Sequence, residues 1–261
     1  MNVAVIKLGG SLITDKGGRR VVRRKVLRRL ASELAEVAGR GRRRFLVGHG
    51  SGSFGHVVAA EHGVHRGRGG AAGASATQAV ARELHEAVLE TFREVGLPAW
   101  SVAPSGTIVT ASGRPVTVAA EGMTRALQGG LMAMTYGDVV MDRTQRHAIC
   151  STETALLAYT RRLRTGGAVI RDAYWLGNTD GIYDAEGLTI SRLTAATARR
   201  MAAAVGGSPD TDVTGGMRHR LDTAMAFARL GVRSWILDGT IPGILTAALS
   251  GTHRGGTRIV P

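Results

Sequence analysis

Apolar strands running into glycine turns, with amphipathic helices between them, predict an α/β protein on a parallel sheet. Three observations support this. The chain opens strand–helix–strand, and both strands end in glycine. The same alternation restarts after residue 165. Hydrophobic residues make up 44% of the 261, enough for the core of one large domain or two closely packed lobes.

The elements follow in order. Val3 to Leu8 reads as a buried strand. Lys25 to Val37 carries Val26, Leu27, Leu30, Leu34 and Val37 at helical spacing. Arg44 to Gly48 is a second short apolar run ending at His49. Residues 57 to 75 are rich in Gly, Ala and His without a period, which predicts a mobile loop. Thr77 to Val95 predicts a helix, with Ala79, Val80, Leu84, Val88, Leu89 and Phe92 on one face. Trp100 to Val102 and Ile108–Val109 read as short strands. Residues 113 to 142 alternate short apolar runs with turns, and Ala148 to Cys150 is a further strand before a helix over Thr152 to Leu163. Ala168 to Ile170 and Tyr174 to Leu176 read as two strands. Leu221 to Leu230 and Ile244 to Ser250 are predicted helices, with a strand at Ser234 to Leu237 between them. Thr252 to Val260 reads as a glycine-broken final strand.

Bulk properties narrow the function classes. The single cysteine, Cys150, excludes an internal disulfide and fits a reducing, cytoplasmic setting. No apolar run is long enough to span a bilayer, and no signal peptide is expected. The net charge is +14, with clusters at Arg19–Arg20, Arg23–Arg24–Lys25, Arg28–Arg29, Arg42–Arg43–Arg44 and Arg161–Arg162. Such an excess suits nucleic acid. Aromatics are only 4%, however, which leaves little platform for stacking bases. Solvated helix faces, and a field that attracts small polyanions, explain the charge without nucleic acid.

The chemistry is concentrated in two glycine turns. Ile6-Lys7-Leu8-Gly9-Gly10-Ser11 and His49-Gly50-Ser51-Gly52-Ser53-Phe54-Gly55-His56 each follow a strand. Turns of this kind expose consecutive backbone N–H groups suited to phosphate. Lysine occurs only at positions 7, 16 and 25, and the other 31 basic residues are arginine. Two of the three lysines thus sit in or just after the first turn. A compact ammonium suits a migrating phosphoryl group better than the planar guanidinium fork. Two cradles and two lysines point to phosphoryl transfer between a donor and an acceptor phosphate.

These segments, together with Tyr136-Gly137-Asp138-Val139-Val140, Asn178-Thr179-Asp180-Gly181-Ile182-Tyr183-Asp184 and Asp212-Val213-Thr214-Gly215-Gly216-Met217, stand in the order seen in the amino acid kinase superfamily. The chain resembles that superfamily from residue 3 to near 260, and within it the isopentenyl phosphate kinases most, through Gly52-Ser53-Phe54-Gly55-His56. The fosfomycin kinases share a similar ending. The resemblance implies a three-layer α/β/α sandwich around a mostly parallel sheet, with residues 1–165 binding the acceptor and 166–261 binding ATP. It also implies Mg²⁺, a small phosphate substrate and a homodimer, with neither nucleic acid nor membrane as partner.

The implied roles are specific. Lys7, Lys16 and His56 are the catalytic candidates. Gly50, Ser51, Gly52, Gly55 and His56 are the acceptor-binding candidates, while His49 could be structural or a ligand. ATP falls to Lys7, Gly9, Gly10, Ser11, Asp180, Tyr183, Asp184, Gly215, Gly216, Met217 and Arg220. Glu153 is a candidate to orient the lysines, and Asp138 and Asp142 to do so or to join a Mg²⁺ shell. No metal ligand set is assigned. Two positions depart from the superfamily pattern: Glu153 stands where an aspartate is usual, and Arg220 where a lysine is usual. The expected reaction is ATP-dependent phosphorylation of isopentenyl phosphate. A phosphonate antibiotic or another specialised metabolite as acceptor, and a non-catalytic nucleotide-responsive binding protein, are the alternatives.

Overall fold

The computed structural model describes all residues except 16–19, 42, 65–68, 185, 195, 199 and 201–214; for His56 and residues 215–220 it describes the backbone alone. Among the described residues, eight strands form one twisted sheet. In chain order these are β1 (Asn2–Leu8), β2 (Arg44–His49), β3 (Ala99–Ser101), β6 (Met132–Tyr136), β9 (Val169–Gly177), β10 (Arg192–Thr194), β11 (Arg233–Asp238) and β12 (Thr257–Val260). Their spatial order is β10-β12-β11-β9-β1-β2-β6-β3. Neighbours are parallel except β11 and β12, which run antiparallel. The chain's two halves therefore share one sheet.

Strand alternation sorts the core onto two faces. Val3 and Val5 of β1 pack with Leu46, Trp175 and Ile236 against helices α6 (Glu121–Gln128), α7 (Thr152–Thr165) and α8 (Gly215–Arg229). Ala4, Ile6 and Leu8 face the other way, onto α1 (Gly10–Ile13), α2 (Arg24–Ala38), α3 (Gly52–Glu61), α4 (Gly70–Glu94) and α9 (Ile244–Ser250). Both faces of the parallel sheet are covered, and the architecture is an α/β/α sandwich.

A second sheet, in the order β5-β4-β7-β8, is made by β4 (Ile108–Ala111), β5 (Arg114–Val118), β7 (Asp138–Asp142) and β8 (Arg146–Cys150). The short helix α5 (Pro104–Thr107) leads into it, and Gly137 separates β6 from β7. Asp142 ties its turns together. It accepts hydrogen bonds from Thr110 Oγ1, the Gly113 amide and the Thr144 amide and hydroxyl. Desolvation works against its ionisation, but these donors outweigh it and hold the carboxyl below the usual range. Its carboxylate is thus engaged in these turns.

The structure corrects several expected elements. Residues 57–61, expected in a loop, belong to helix α3, whose Phe54 and Val58 enter the core shared with α2 and α4. Helix α4 begins at Gly70, seven residues before the expected Thr77, with Gly69 at its N-cap in the left-handed region. The two strands expected between 168 and 176 are one, β9. The last strand is confined to Thr257–Val260.

Several arginines of the N-terminal clusters lie beside acids. Arg20, Arg24 and Arg28 approach Glu83, Glu90 and Glu94 of α4 at 3.3, 4.0 and 3.8 Å. Exposed pairs of this kind contribute about 0–1 kcal/mol each, so they are solvated surface rather than a structural keystone. Among the described residues, no helix is long and apolar enough to cross a membrane.

Candidate active site

The site lies where β1, β2 and β6 end, at the carboxyl edge of the sheet. Open parallel sheets bind ligands at that edge. Lys7 is the last residue of the row that begins with Val3 and Val5, so its side chain leaves the sheet on the α7 side. There it meets the first turn of α7. Lys7 Nζ and Glu153 Oε1 are 2.8 Å apart, with the residues only 7% and 8% exposed. Ser151 caps α7 by accepting from the Thr154 amide at 3.1 Å. An acidic side chain in the first turn also suits the helix dipole.

The two glycine turns are in direct contact. A Cβ on Gly10 would lie 2.4 Å from the Gly52 amide nitrogen, and one on Gly50 would lie 2.8 Å from that of Gly10. Glycine is required at both because backbone meets backbone. Thr14 fastens them: its hydroxyl donates to the Gly10 carbonyl at 2.8 Å and accepts from the Ser53 amide at 3.1 Å. The N-terminal ends of α1 and α3 therefore converge beside Lys7.

A cavity of about 630 Å³ opens over this junction. Its lining includes Lys7, Glu153, Gly10, Gly50, Ser51 and Gly52. The rest of the lining includes Val57, Ala59, Ala81, Val139 and Ile149. Asp138 borders the cavity too, but its carboxylate is engaged by the Ser105 and Val139 amides at 2.9 and 2.8 Å. Burial pushes its carboxyl up, an effect those amides partly offset.

His49 is a buried residue under the second turn. One of its ring nitrogens is 2.9 Å from His85 and the other 3.2 Å from the Gly50 carbonyl. His85 also stacks on Tyr136, with ring centroids 4.1 Å apart. Burial lowers the two imidazoles to about 4 for His49 and about 2 for His85. Both are neutral when folded, whereas unfolded histidine titrates near 6.5. Above that value neither state binds the protons and stability is flat. As pH falls below about 6.5 the unfolded chain takes them up and the folded chain does not. Stability therefore declines by up to about 1.4 kcal/mol per pH unit for each histidine. Urea midpoints should fall steadily from pH 6.5 to 4.5, and His85→Asn should reduce that slope.

The profile of the Amino acid kinase family matches residues 2–238. The chain belongs to the amino acid kinase family. It is 34% identical to the isopentenyl phosphate kinase of Haloferax volcanii and 30% identical to that of Methanothermobacter thermautotrophicus, each alignment covering 98% of both chains. An isopentenyl phosphate kinase solved by X-ray superposes with a TM-score of 0.81 at 25% identity, over 99% of this chain and all of the other.

In this amino acid kinase the sequence-predicted residues separate into three groups. Lys7, Gly10, Ser11, Gly50, Ser51, Gly52, Gly55, Asp138 and Glu153 line the one cavity. Gly9 lies behind it, its amide donating to the Leu176 carbonyl of β9 at 2.8 Å. Asp180, Tyr183 and Asp184 are outside its described lining. Asp180 accepts from the Tyr183 and Thr189 hydroxyls, both at 2.6 Å, and Asp184 shapes the next turn by accepting from the Leu188 amide. Those two hydroxyls hold the Asp180 carboxyl below its ordinary range. Asn178, at the start of this segment, donates to the Ser11 carbonyl at 3.1 Å and so joins it to the first turn. Lys16 lies outside the described residues. So do the side chains of His56, Met217 and Arg220, whose backbones sit in α3 and α8 along with Gly215 and Gly216.

Sequence reasoning missed Thr14 as the clasp between the turns, and His85. The available signal for His85 was a histidine beside Leu84 on the apolar stripe of α4, where a polar ring needs a partner.

Proposed function

We propose that the chain transfers the γ-phosphoryl group of ATP to isopentenyl phosphate, forming isopentenyl diphosphate. The observation that carries this is the cavity's mixed lining. Lys7 and two abutting glycine turns are suited to phosphate, and the same cavity is lined by Val57, Ala59, Ala81, Val139 and Ile149, suited to a short hydrocarbon. Full-length relatives named isopentenyl phosphate kinase support the same substrate. A polar phosphonate would leave those walls without a match.

The chain's own groups supply the following. The ammonium of Lys7 faces the charge that builds on the migrating group, and Glu153 fixes its direction. Amides of the Gly50–Gly52 turn hold the acceptor phosphate, and those after Gly9 hold the donor. We assign Lys16 and His56 as further phosphate contacts on the strength of the family resemblance. No general base is needed, because a phosphate monoester is already ionised enough to attack. The acceptor binds in the 1–165 part. ATP binds toward the 166–261 part, near Asn178–Asp184 and the start of α8. Among the described residues, no three His, Cys, Asp or Glu side chains are grouped to hold a metal. Mg²⁺ would be held chiefly through the nucleotide's own phosphate oxygens, as is common for this ion, and would offset their charge. A homodimer is the expected assembly.

The test is ADP release from Mg·ATP with isopentenyl phosphate, dimethylallyl phosphate, geranyl phosphate and fosfomycin side by side. Isopentenyl phosphate should give the highest kcat/KM. Preference for fosfomycin would keep the kinase and discard the substrate. No release with any of them would restore the reading as a binding protein.

A further inference from the structure

Three side chains behind the second glycine turn form a continuous hydrogen-bonded row. Ser101 Oγ is 3.0 Å from His85 Nε2, His85 Nδ1 is 2.9 Å from His49 Nε2, and His49 Nδ1 is 3.2 Å from the Gly50 carbonyl. A carbonyl oxygen only accepts, so the terminal bond sets every proton in the row. His49 must carry its proton on Nδ1 and accept on Nε2. His85 then carries its own on Nδ1 and accepts from the Ser101 hydroxyl. His49 and His85 are each 1% exposed, whereas Ser101 lies at the solvent-exposed edge strand β3. Neutral imidazoles are what such a row requires, and burial keeps both rings neutral.

The Gly50 carbonyl belongs to the peptide that joins Gly50 to Ser51, both of which line the cavity. In a trans peptide the carbonyl and the amide point in opposite directions. A carbonyl drawn toward His49 sends the Ser51 amide away from the imidazoles. The other side of the turn is secured separately, since the Gly50 amide donates to the Leu8 carbonyl at 3.0 Å and the Thr152 hydroxyl donates to the His49 carbonyl at 2.7 Å.

We propose that His85, acting through His49, is a positioning residue for the acceptor-phosphate turn: it fixes the His49 tautomer that holds the Gly50–Ser51 peptide with its amide directed at the acceptor. This rests on the reading that the acceptor phosphate binds at that turn. His85→Leu removes the donor to His49 Nε2 and frees His49 to move its proton there. The Gly50 carbonyl then loses its partner. His85→Asn keeps an amide that can donate to His49 and accept from Ser101.

The test joins nitrogen-15 NMR of the imidazoles in the wild-type protein at pH 7.5 with kinetics of both variants. The expected spectrum shows two neutral rings protonated at Nδ1. His85→Leu should raise the KM for isopentenyl phosphate about three- to tenfold, the worth of one hydrogen bond, and leave the KM for ATP within about twofold. His85→Asn should restore most of the difference. An Nε2–H tautomer or a charged ring at either position would overturn the proposal, whether or not the leucine variant folds. So would a folded His85→Leu protein with unchanged acceptor KM, or one in which both KM values rise together. If the wild-type protein turns over no isopentenyl phosphate, the substrate reading fails and takes this role with it, which the NMR distinguishes from failure of the row itself.

Discussion

Lys7→Ala should lower kcat about 10³-fold, the order seen when a single preorganised charge donor is removed from a transition state. It should also destabilise the protein, because Glu153 is left as a buried carboxylate without the ammonium 2.8 Å away. Breaking one side of a buried pair costs about 3–5 kcal/mol. The two effects separate in a double variant. Lys7→Met with Glu153→Gln removes both charges, so it should recover most of the melting temperature and none of the activity. Lys7→Arg should stay slow, since the planar fork is longer and cannot occupy the ammonium's place between α7 and the turns. Thermal melts and single-turnover rates on the four proteins check this. Recovery of turnover in the neutral double variant would show that Lys7 serves the fold and not the chemistry.

Gly52→Ala should be nearly as damaging without touching a charge. Gly52 has φ +49°, and a Cβ there would lie 2.0 Å from Thr14 Oγ1 and 2.7 Å from the Gly10 carbonyl. The left-handed backbone costs an alanine about 1–2 kcal/mol, and the overlap adds about 1–3 kcal/mol more. Because the clash is partly with backbone, the glycine turns must part. Turnover should fall at least about 100-fold, and Thr14→Ala should fail to rescue it. Gly122→Ala is the control: a Cβ there meets nothing within 4 Å, and the site lies in helix α6. It should leave activity unchanged and raise stability slightly.

How much of this was legible in the sequence depends on how local each feature is. Strand β1, helix α2 and helix α9 were readable within a residue or two because their apolar spacing is strong and their neighbours are turns. Helix α3 was not, because Val57, Val58, Ala59 and Ala60 form an apolar run with no period of their own. What makes them helical is the core under Phe54 and Val58. Ile108–Val109 and Ala148–Cys150 were read as strands, but their pairing into a second sheet escaped for a related reason. Its strands are four or five residues long and pair across turns and a crossover that no periodicity announces. At the site, Lys7 and the glycine turns were evident as contiguous motifs. Glu153 was visible only as a departure from a pattern. Its meaning comes from two facts that meet in space, the odd-numbered face of β1 and the first turn of α7. At 2.8 Å the longer acid still reaches the lysine, so the departure preserves the pairing it seemed to remove. His85 stands 36 positions from the ring it touches, and nothing in the chain's periodicity connects them.

The most direct measurement is phosphorus-31 NMR of the purified protein with Mg·ATP and isopentenyl phosphate. The monophosphate resonance should disappear in step with ATP and be replaced by two coupled diphosphate resonances, one new phosphorus–oxygen bond for each ADP formed. A monophosphate resonance that persists, while ATP stays intact or is hydrolysed to inorganic phosphate, would contradict phosphoryl transfer to this acceptor.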